Sequence, residues 1–327
     1  MYRLNYWGAF RDYRCCCLLL ACLALMGMLI KPFNEQKAAH YNFTFIVDIT
    51  RSMNAVDYQA EDQAISRLQF VKLQLRQLLK QLPCSTKIGL GVFTERRSTL
   101  LFEPLNVCEN YAELDSTLSK VDWRMAWAAD SNIAKGLLNT LEMLQKSNST
   151  IVFITDGQEA PPVNPAYQPD LTVLKGKVKG LVVGTGGLKA VPIPKFDETG
   201  KSVGVYKAED VPHRTSFGQS NLDPAQIEGY DARNAPFGRK AGVGNEHLSA
   251  LQESYLTQLA RQAGLSYTRL SDLENLLVAL QQPEFAEESF EQVDIRWRYA
   301  LFALSLFCFS YLPLVEIQSR YLPLTKN

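Results

Sequence analysis

Apolar positions follow three regimes along the chain. Residues 15–30 and 299–315 are uncharged runs of 16 and 17 residues, and the stretch between them alternates short apolar runs with amphipathic segments. The short runs are 42–47 (NFTFIV), 87–93, 150–155 (TIVFIT), 178–183 and 265–270, each bounded by polar or turn residues, and they read as strands. Residues 99–102 read as an antiparallel edge partner of 87–93 across the polar Glu95-Arg96-Arg97. Helical spacing appears over 67–82, where Leu68, Val71, Leu75, Leu78, Leu79 and Leu82 share one face. It recurs over 111–121, 132–145, 247–263, with Gly264 as the C-cap, and 273–280. Strand and helix in alternation need right-handed crossovers, so the pattern predicts a doubly wound α/β domain with a mostly parallel sheet. Such sheets bind ligands at the carboxyl ends of the strands, where strand order reverses. Asp48 and Asp156 each follow a strand directly.

Residues 188–246 break the pattern, being rich in Gly, Pro, Asn and charge. A hairpin is expected over 191–206 around Glu198-Thr199-Gly200, and the whole stretch is too long for a simple connection.

The terminal runs change the picture from a soluble domain to an anchored one. A 16-residue helix rises roughly 24 Å against a hydrocarbon core of about 30 Å. Arg3, Arg11 and Arg14 precede the first run and Lys31-Pro32 close it; Arg296 and Arg298 precede the second, and Glu316 and Arg320 follow. Both are expected to span a membrane. Basic residues before the first place the N-terminus in the cytoplasm and the central domain outside it. A cleaved signal peptide is the competing reading, but no small-x-small site precedes Asn34. Leu19-Leu20-Ala21-Cys22 resembles a lipobox, yet the apolar run continues for eight residues beyond Cys22. The expected organisation is a cytoplasmic N-terminus over 1–14, a membrane helix over 15–31 and a linker over 32–41. The α/β domain over 42–282 carries the insertion 188–246, and a linker over 283–298, a membrane helix over 299–315 and a tail over 316–327 follow. A bacterial inner membrane with a periplasmic main domain is the implied location.

Lys and Arg total 34, as do Asp and Glu, and this balance argues against a nucleic-acid partner. Of seven cysteines, only Cys84 and Cys108 lie between the spans. In an oxidising compartment they are expected to form a disulfide, with two buried thiols as the alternative.

Candidate chemistry starts at Asp48-Ile49-Thr50-Arg51-Ser52. Asp48, Thr50 and Ser52 place a carboxylate and two hydroxyls at alternate positions of a loop leaving a strand. Asp156 supplies a second carboxylate, and Ser131, just before a helix, another hydroxyl. Hard oxygen donors without His or Cys suit Mg²⁺ first, with Mn²⁺ or Ca²⁺ as alternatives, rather than zinc. This constellation resembles the von Willebrand factor A domain and its metal-ion-dependent adhesion site, D-x-S-x-S with a distant Thr and a T-D-G turn. Thr50 stands where the pattern has its first Ser and Ser131 where it has the distant Thr, while Thr155-Asp156-Gly157 matches the turn. The resemblance implies an ion with one coordination position left for an acidic side chain of a partner protein.

Other segments resemble the MxaL family of accessory proteins of bacterial methanol oxidation. They include Leu101-Phe102-Glu103-Pro104, Asp122-Trp123-Arg124-Met125-Ala126-Trp127, Gln158-Glu159-Ala160-Pro161-Pro162 and Asn234-Ala235-Pro236-Phe237-Gly238. That resemblance implies a role in maturing periplasmic methanol dehydrogenase, including insertion of its Ca²⁺, with the dehydrogenase or its other accessory proteins as partners. The broader Bat-type aerotolerance family shares the anchored architecture and is the alternative.

An enzyme is not expected. His40, His213 and His247 sit in no recognisable triad, and G-x-S-x-G and the Walker lysine loop are absent. Metal-assisted hydrolysis at Asp48 and Asp156 would need a base, with Asp130 or Glu159 the available choices. Gly184-Thr185-Gly186-Gly187 reads as a plain loop, and Asp57 and Tyr58 as solvated loop residues. Trp123, Met125 and Trp127 read either as core or as interface anchors beside the ion.

Overall fold

The computed structural model describes residues 13–60, 62–127, 130–160, 168–197, 199–207, 210 and 247–312. Two compact units divide the chain, one made of both terminal regions and the other of His40–Glu287.

In the central unit, strand β2 (Asn42–Asp48) is the hub because its β-branched and aromatic run is buried from Phe43 onward. It pairs in parallel with β5 (Lys87–Thr94) on one side and β7 (Thr150–Thr155) on the other. Beyond β7 lie β8 (Gly180–Gly184) and β13 (Ser266–Arg269), both parallel. Beyond β5, β6 (Arg97–Asn106) runs antiparallel. The sheet order is therefore β13-β8-β7-β2-β5-β6. The chain moves outward from β2 to β6 and then crosses back to β7, so the carboxyl end of β2 is the point where strand order reverses.

Alternation along β2 divides the core. Phe43, Phe45 and Val47 point to the face covered by α2 (Arg67–Leu79), α3 (Tyr111–Lys120) and α6 (Leu273–Leu280). Ile46 points to the face covered by α4 (Ile133–Leu144) and α5 (Glu253–Ala263). Helix α4 lies very close to the sheet: a Cβ on Gly136 would stand 2.0 Å from Cε2 of the buried Phe93 ring. At the opposite end of the strands from Asp48, Asn42 Nδ2 donates to Asn148 O at 2.9 Å and Asn148 Nδ2 to Glu287 Oε1 at 2.7 Å.

Several expected boundaries move for local reasons. The edge strand expected over 99–102 runs from Arg97 to Asn106, accommodating Pro104 through register shifts opposite Ile88 and Leu90. The helix expected from 247 starts at Glu253, because the backbone before it is held extended. There Leu248–Ser249 (β12) pairs with Val191–Pro192 (β9), and the Leu251 and Gln252 N–H groups donate to Gly187 O and Asp156 O. Gly264 caps that helix in the left-handed conformation, φ 72°, as expected. The expected hairpin forms between β10 (Pro194–Phe196) and β11 (Ser202–Val205); residues 211–246 of the insertion lie outside the described residues. Polar stretches hid a further hairpin of β3 (Val56–Ala60) and β4 (Gln63–Ser66).

Cys84 and Cys108 are disulfide-bonded, tying the loop before β5 to the loop after β6. Replacing both by Ser should lower unfolding free energy by about 3 kcal/mol on the loop-entropy estimate. Urea unfolding checks this, and an unchanged midpoint would show that the crosslink constrains little.

In the terminal unit, α1 (Tyr13–Ile30) and α7 (Arg296–Ser310) pack side by side, and β1 (Phe33–His40) pairs with β14 (Glu287–Asp294). The helices are antiparallel: the Tyr13 hydroxyl donates to Leu312 O, Gly27 lies against the Tyr299 ring, and Ile295 N–H donates to Pro32 O at 2.9 Å. Among the described residues only α1 is long and apolar enough to cross a membrane. Helix α7 has 15 described residues, a rise of about 22 Å, and 313–315 of the expected second span lie outside the described residues. Two membrane-spanning helices are therefore an expectation that the described residues do not show. The stretches expected as linkers, 32–41 and 283–298, hold the paired strands β1 and β14.

Candidate metal centre

The carboxyl ends of β2 and β7 bring the two predicted aspartates to one edge, both fully buried. Asp48 Oδ1 accepts the Thr50 N–H at 2.8 Å, and Oδ2 accepts the Thr155 hydroxyl at 2.6 Å. This turn presents the Thr50 and Ser52 hydroxyls beside each other, 3.4 Å apart. Burial, and then the neighbouring Asp156 charge, push the Asp48 carboxyl up to about 7. Two buried carboxylates that repel each other are costly together unless cationic charge lies beside them.

Ser131 reaches the same edge by a different route. Glu95, in the left-handed conformation (φ 58°), turns the chain after β5, and its carbonyl accepts the Asn132 N–H at 2.5 Å. Ser131 N–H donates to Ala160 O at 2.6 Å, and its own carbonyl accepts the Ala160 N–H at 2.9 Å. Ser131 is thus fixed between the segments that leave β5 and β7, the two neighbours of β2. Its hydroxyl is buried and has no hydrogen-bond partner among the described residues. Two carboxylates and three hydroxyls, one of them unsatisfied, are the donor set that a hard divalent cation fits. Asp48, Thr50, Ser52, Ser131 and Asp156 would hold it.

One residue at this centre carried no signal in the sequence. Arg67, the first residue of α2, has a fully buried side chain whose Nη1 donates to Asp156 Oδ2 at 2.6 Å. Its Nε and Nη2 donate to Asp57 Oδ2 at 2.9 and 2.7 Å. Burial would lower the Arg67 pKa, but the Asp156 and Asp57 carboxylates raise it on balance. The expectation that Asp57 and Tyr58 are solvated is corrected here. Asp57 is buried against Arg67, and the Tyr58 ring stacks on Phe70 at 3.8 Å while its hydroxyl accepts the Gly186 N–H at 2.8 Å. The Arg67–Asp57 spacing of ten, in a segment with no apolar period, offered nothing to read. Gly184-Thr185-Gly186-Gly187 proves more than a plain loop, since a Cβ on Gly186, at φ +121°, would stand 2.8 Å from Arg67 Nε.

The hairpin of the insertion walls one side of the centre. Phe196 of β10 stacks on Trp123 at 5.3 Å, and Tyr206, just past β11, lies under Arg51, whose guanidinium is 5.5 Å from the ring centroid. Arg51 sits inside the metal loop between Thr50 and Ser52, and the turn Trp123–Met125 packs against Arg51–Asn54. Of the three residues with two readings, Trp123 is partly buried against the core, whereas Met125 and Trp127 are exposed. Arg96 and Arg97 are exposed in the turn, as expected.

Glu159 caps the start of α4, with Oε1 accepting the Ala134 N–H at 3.3 Å and the Tyr255 hydroxyl at 2.6 Å. Burial pushes its carboxyl up to about 7, against the opposing effect of these hydrogen bonds. The folded state then holds this proton more tightly than the unfolded chain does, so Glu159 favours folding fully below about 4.5 and loses that contribution as pH rises through about 7. In EDTA, Glu159→Gln should melt higher than wild type at pH 8 and alike at pH 4.5. An equal difference at both pH values would show that the proton is not the cause.

Residues 43–158 match the von Willebrand factor type A domain, a span that contains all five candidate ligands. A von Willebrand factor A domain is therefore present in this chain. Among solved structures, an aerotolerance-related membrane protein from Bacteroides fragilis is similar at 15% identity, TM-score 0.47, covering 75% of this chain and 98% of that one. BatB from Bacteroides thetaiotaomicron is similar at 16% identity, TM-score 0.46, covering 75% and 96%. Manganese-loaded TRAP protein from Plasmodium vivax is similar at 13% identity, TM-score 0.38, covering 80% and 81%. No curated protein matches the chain. Nothing in these comparisons ties it to MxaL or to methanol oxidation.

Proposed function

We propose that this chain is a membrane-anchored binding module that captures an acidic side chain of a partner protein through a divalent ion, and that it is not itself an enzyme. The observation that carries this reading is the buried Ser131 hydroxyl, left without a partner at the edge where Asp48 and Asp156 meet. When bound, the ion supplies an electrophilic position for a carboxylate. The residues of the chain would do the rest: Asp48 and Asp156 would balance its charge, the three hydroxyls would add oxygen donors while leaving one position open, and the hairpin would shape the approach.

The antiparallel pairing of α1 with α7 supports an anchor in which both cross the inner membrane, with the central unit in the periplasm. Two finer roles fit this module. The first is maturation of methanol dehydrogenase, including insertion of its Ca²⁺, supported by the flanking segments quoted above. The second is a Bat-type aerotolerance scaffold, the reading favoured by the solved structures with which this chain shares its fold.

Full-length protein in detergent should retain a partner on a column in Mg²⁺ or Mn²⁺ and release it in EDTA, and Asp48→Ala should abolish retention. Retention unaffected by EDTA and by the substitution would sink the mechanism. Purified methanol dehydrogenase as the applied partner separates the two finer roles, since a Bat-type scaffold has no reason to hold it. A hydrolase would be revived by phosphoester or peptide turnover that is lost in Asp156→Ala. Trp123→Ala should undock the hairpin and weaken retention while leaving ion affinity within about twofold, because Trp123 touches Phe196 and supplies no ligand. An ion affinity lowered in step with retention would make the hairpin part of the ion's own shell.

A further inference from the structure

We propose that Arg67 is the positioning residue that sets how tightly this centre takes its ion. It is a buried internal cation that grips Asp156 by one oxygen and competes with the metal for that carboxylate's charge. The inference rests on the metal-centre reading and concerns how the centre is tuned.

Asp156 divides its oxygens. Oδ2 takes Arg67 Nη1 at 2.6 Å and the Ser249 hydroxyl at 3.2 Å, whereas Oδ1, among the described residues, takes only the Gln158 N–H at 2.9 Å. The guanidinium thus decides which oxygen stays available and how much negative charge it presents. Arg67 cannot swing aside. Nη1 and Nη2 also donate to Ser249 Oγ at 2.7 Å and Ser249 O at 3.1 Å, and the bare backbone of Gly186 lies against Nε.

Asp57 then acts as a counterweight. Its Oδ2 accepts Arg67 Nε, Arg67 Nη2 and the Gly187 N–H at 2.8 Å, while its buried Oδ1 has no partner among the described residues. The charge of Arg67 is shared between a carboxylate of the centre and one behind it. Three carboxylates, Asp48, Asp156 and Asp57, face one guanidinium, Arg67, and with all of them ionised the formal charges leave two negative charges for a divalent ion to balance. Taking away Arg67 frees Asp156 for the ion, and neutralising Asp57 leaves the whole guanidinium charge on Asp156. A purely structural staple between α2 and the sheet would give neither effect.

The test uses full-length protein in detergent, Mn²⁺ as the probe, calorimetric titration for Kd, and melting in EDTA and in saturating Mn²⁺. Arg67→Gln should melt lower than wild type in EDTA, gain more from Mn²⁺ than wild type does, and bind it on the order of tenfold more tightly. Asp57→Asn should shift Kd the other way, on the order of tenfold weaker. Arg67→Lys, which keeps the charge, should stay nearer wild type in Kd than Arg67→Gln does. Melting points lowered equally with and without Mn²⁺, at unchanged Kd, would overturn the proposal while leaving the metal centre intact. If wild type ignores Mn²⁺ and Arg67→Gln responds, Arg67 is confirmed as the competitor and the resident ion is lost from the function. If neither responds, both readings fall. Should Arg67→Gln fail to fold, the Kd of Asp57→Asn decides, since the staple account predicts no weakening.

Discussion

At pH 8, above the raised pKa of Asp48, Asp48→Asn should melt above the wild-type protein in EDTA and below it in saturating Mn²⁺. The crossing follows from the position of the carboxylate. Asp48 is fully buried beside Asp156, so without an ion its charge is a net cost to the fold, and the amide removes that charge at nearly constant shape. Asn can still accept the Thr50 N–H, and Thr155 can turn its hydroxyl, so the local hydrogen bonding survives. With an ion present the balance reverses. A ligand at one hundred times its Kd stabilises by about 2.7 kcal/mol, and the substituted protein forgoes most of this. A variant that melts lower under both conditions would show Asp48 to be a structural carboxylate and no ligand.

Gly136→Ala is expected to cost about 2–4 kcal/mol, although alanine is the better helix former by roughly 1 kcal/mol. The added methyl would overlap the Phe93 ring at Cε2, Cδ2 and Cζ, 2.0, 2.5 and 2.9 Å away, and that ring is wholly buried against Phe153. Neither backbone can retreat cheaply: α4 carries Ser131 at its start and β5 sits inside the sheet. Phe93→Ala alone should cost about 3–5 kcal/mol. The double variant should cost less than the sum by more than about 1 kcal/mol, because the methyl then fills part of the space the ring left. Urea unfolding of the four proteins settles it, and strict additivity would mean that the helix shifts instead of clashing.

What the sequence showed and what it hid divide along a physical line. Buried strands announce themselves by composition, so β2, β5, β7 and β8 and the residues at their carboxyl ends could be placed before any coordinates. A doubly wound, mostly parallel α/β sheet follows from their alternation with helices, and the resemblance to a von Willebrand A domain from the Asp48, Ser131 and Thr155-Asp156-Gly157 motifs. Ser131 could be chosen because a hydroxyl preceding a helix start is a short-range feature. Arg67 was out of reach, since its meaning comes from Asp57 ten residues earlier and Asp156 eighty-nine residues later, and buried ion pairs leave no period. The start of α5 was misplaced for a similar reason: 247–252 has a helical apolar pattern, yet its amides are claimed by Asp156, Gly187 and the strand Val191–Pro192. Tertiary hydrogen bonds outweighed local propensity there.

The placing of the two chain exits of the central unit has a mechanical corollary. Asn42 and Glu287 are linked through Asn148, so both polypeptide exits leave from one pole of the sheet, and the ion cradle occupies the other, a seven-residue strand or roughly 23 Å away. Traction applied through the two exits loads the exit pole first, where Asn42 opens β2 and Asn148 precedes β7. Force on the two exits therefore enters the sheet at the pole away from the five candidate ligands and reaches them only along the length of β2.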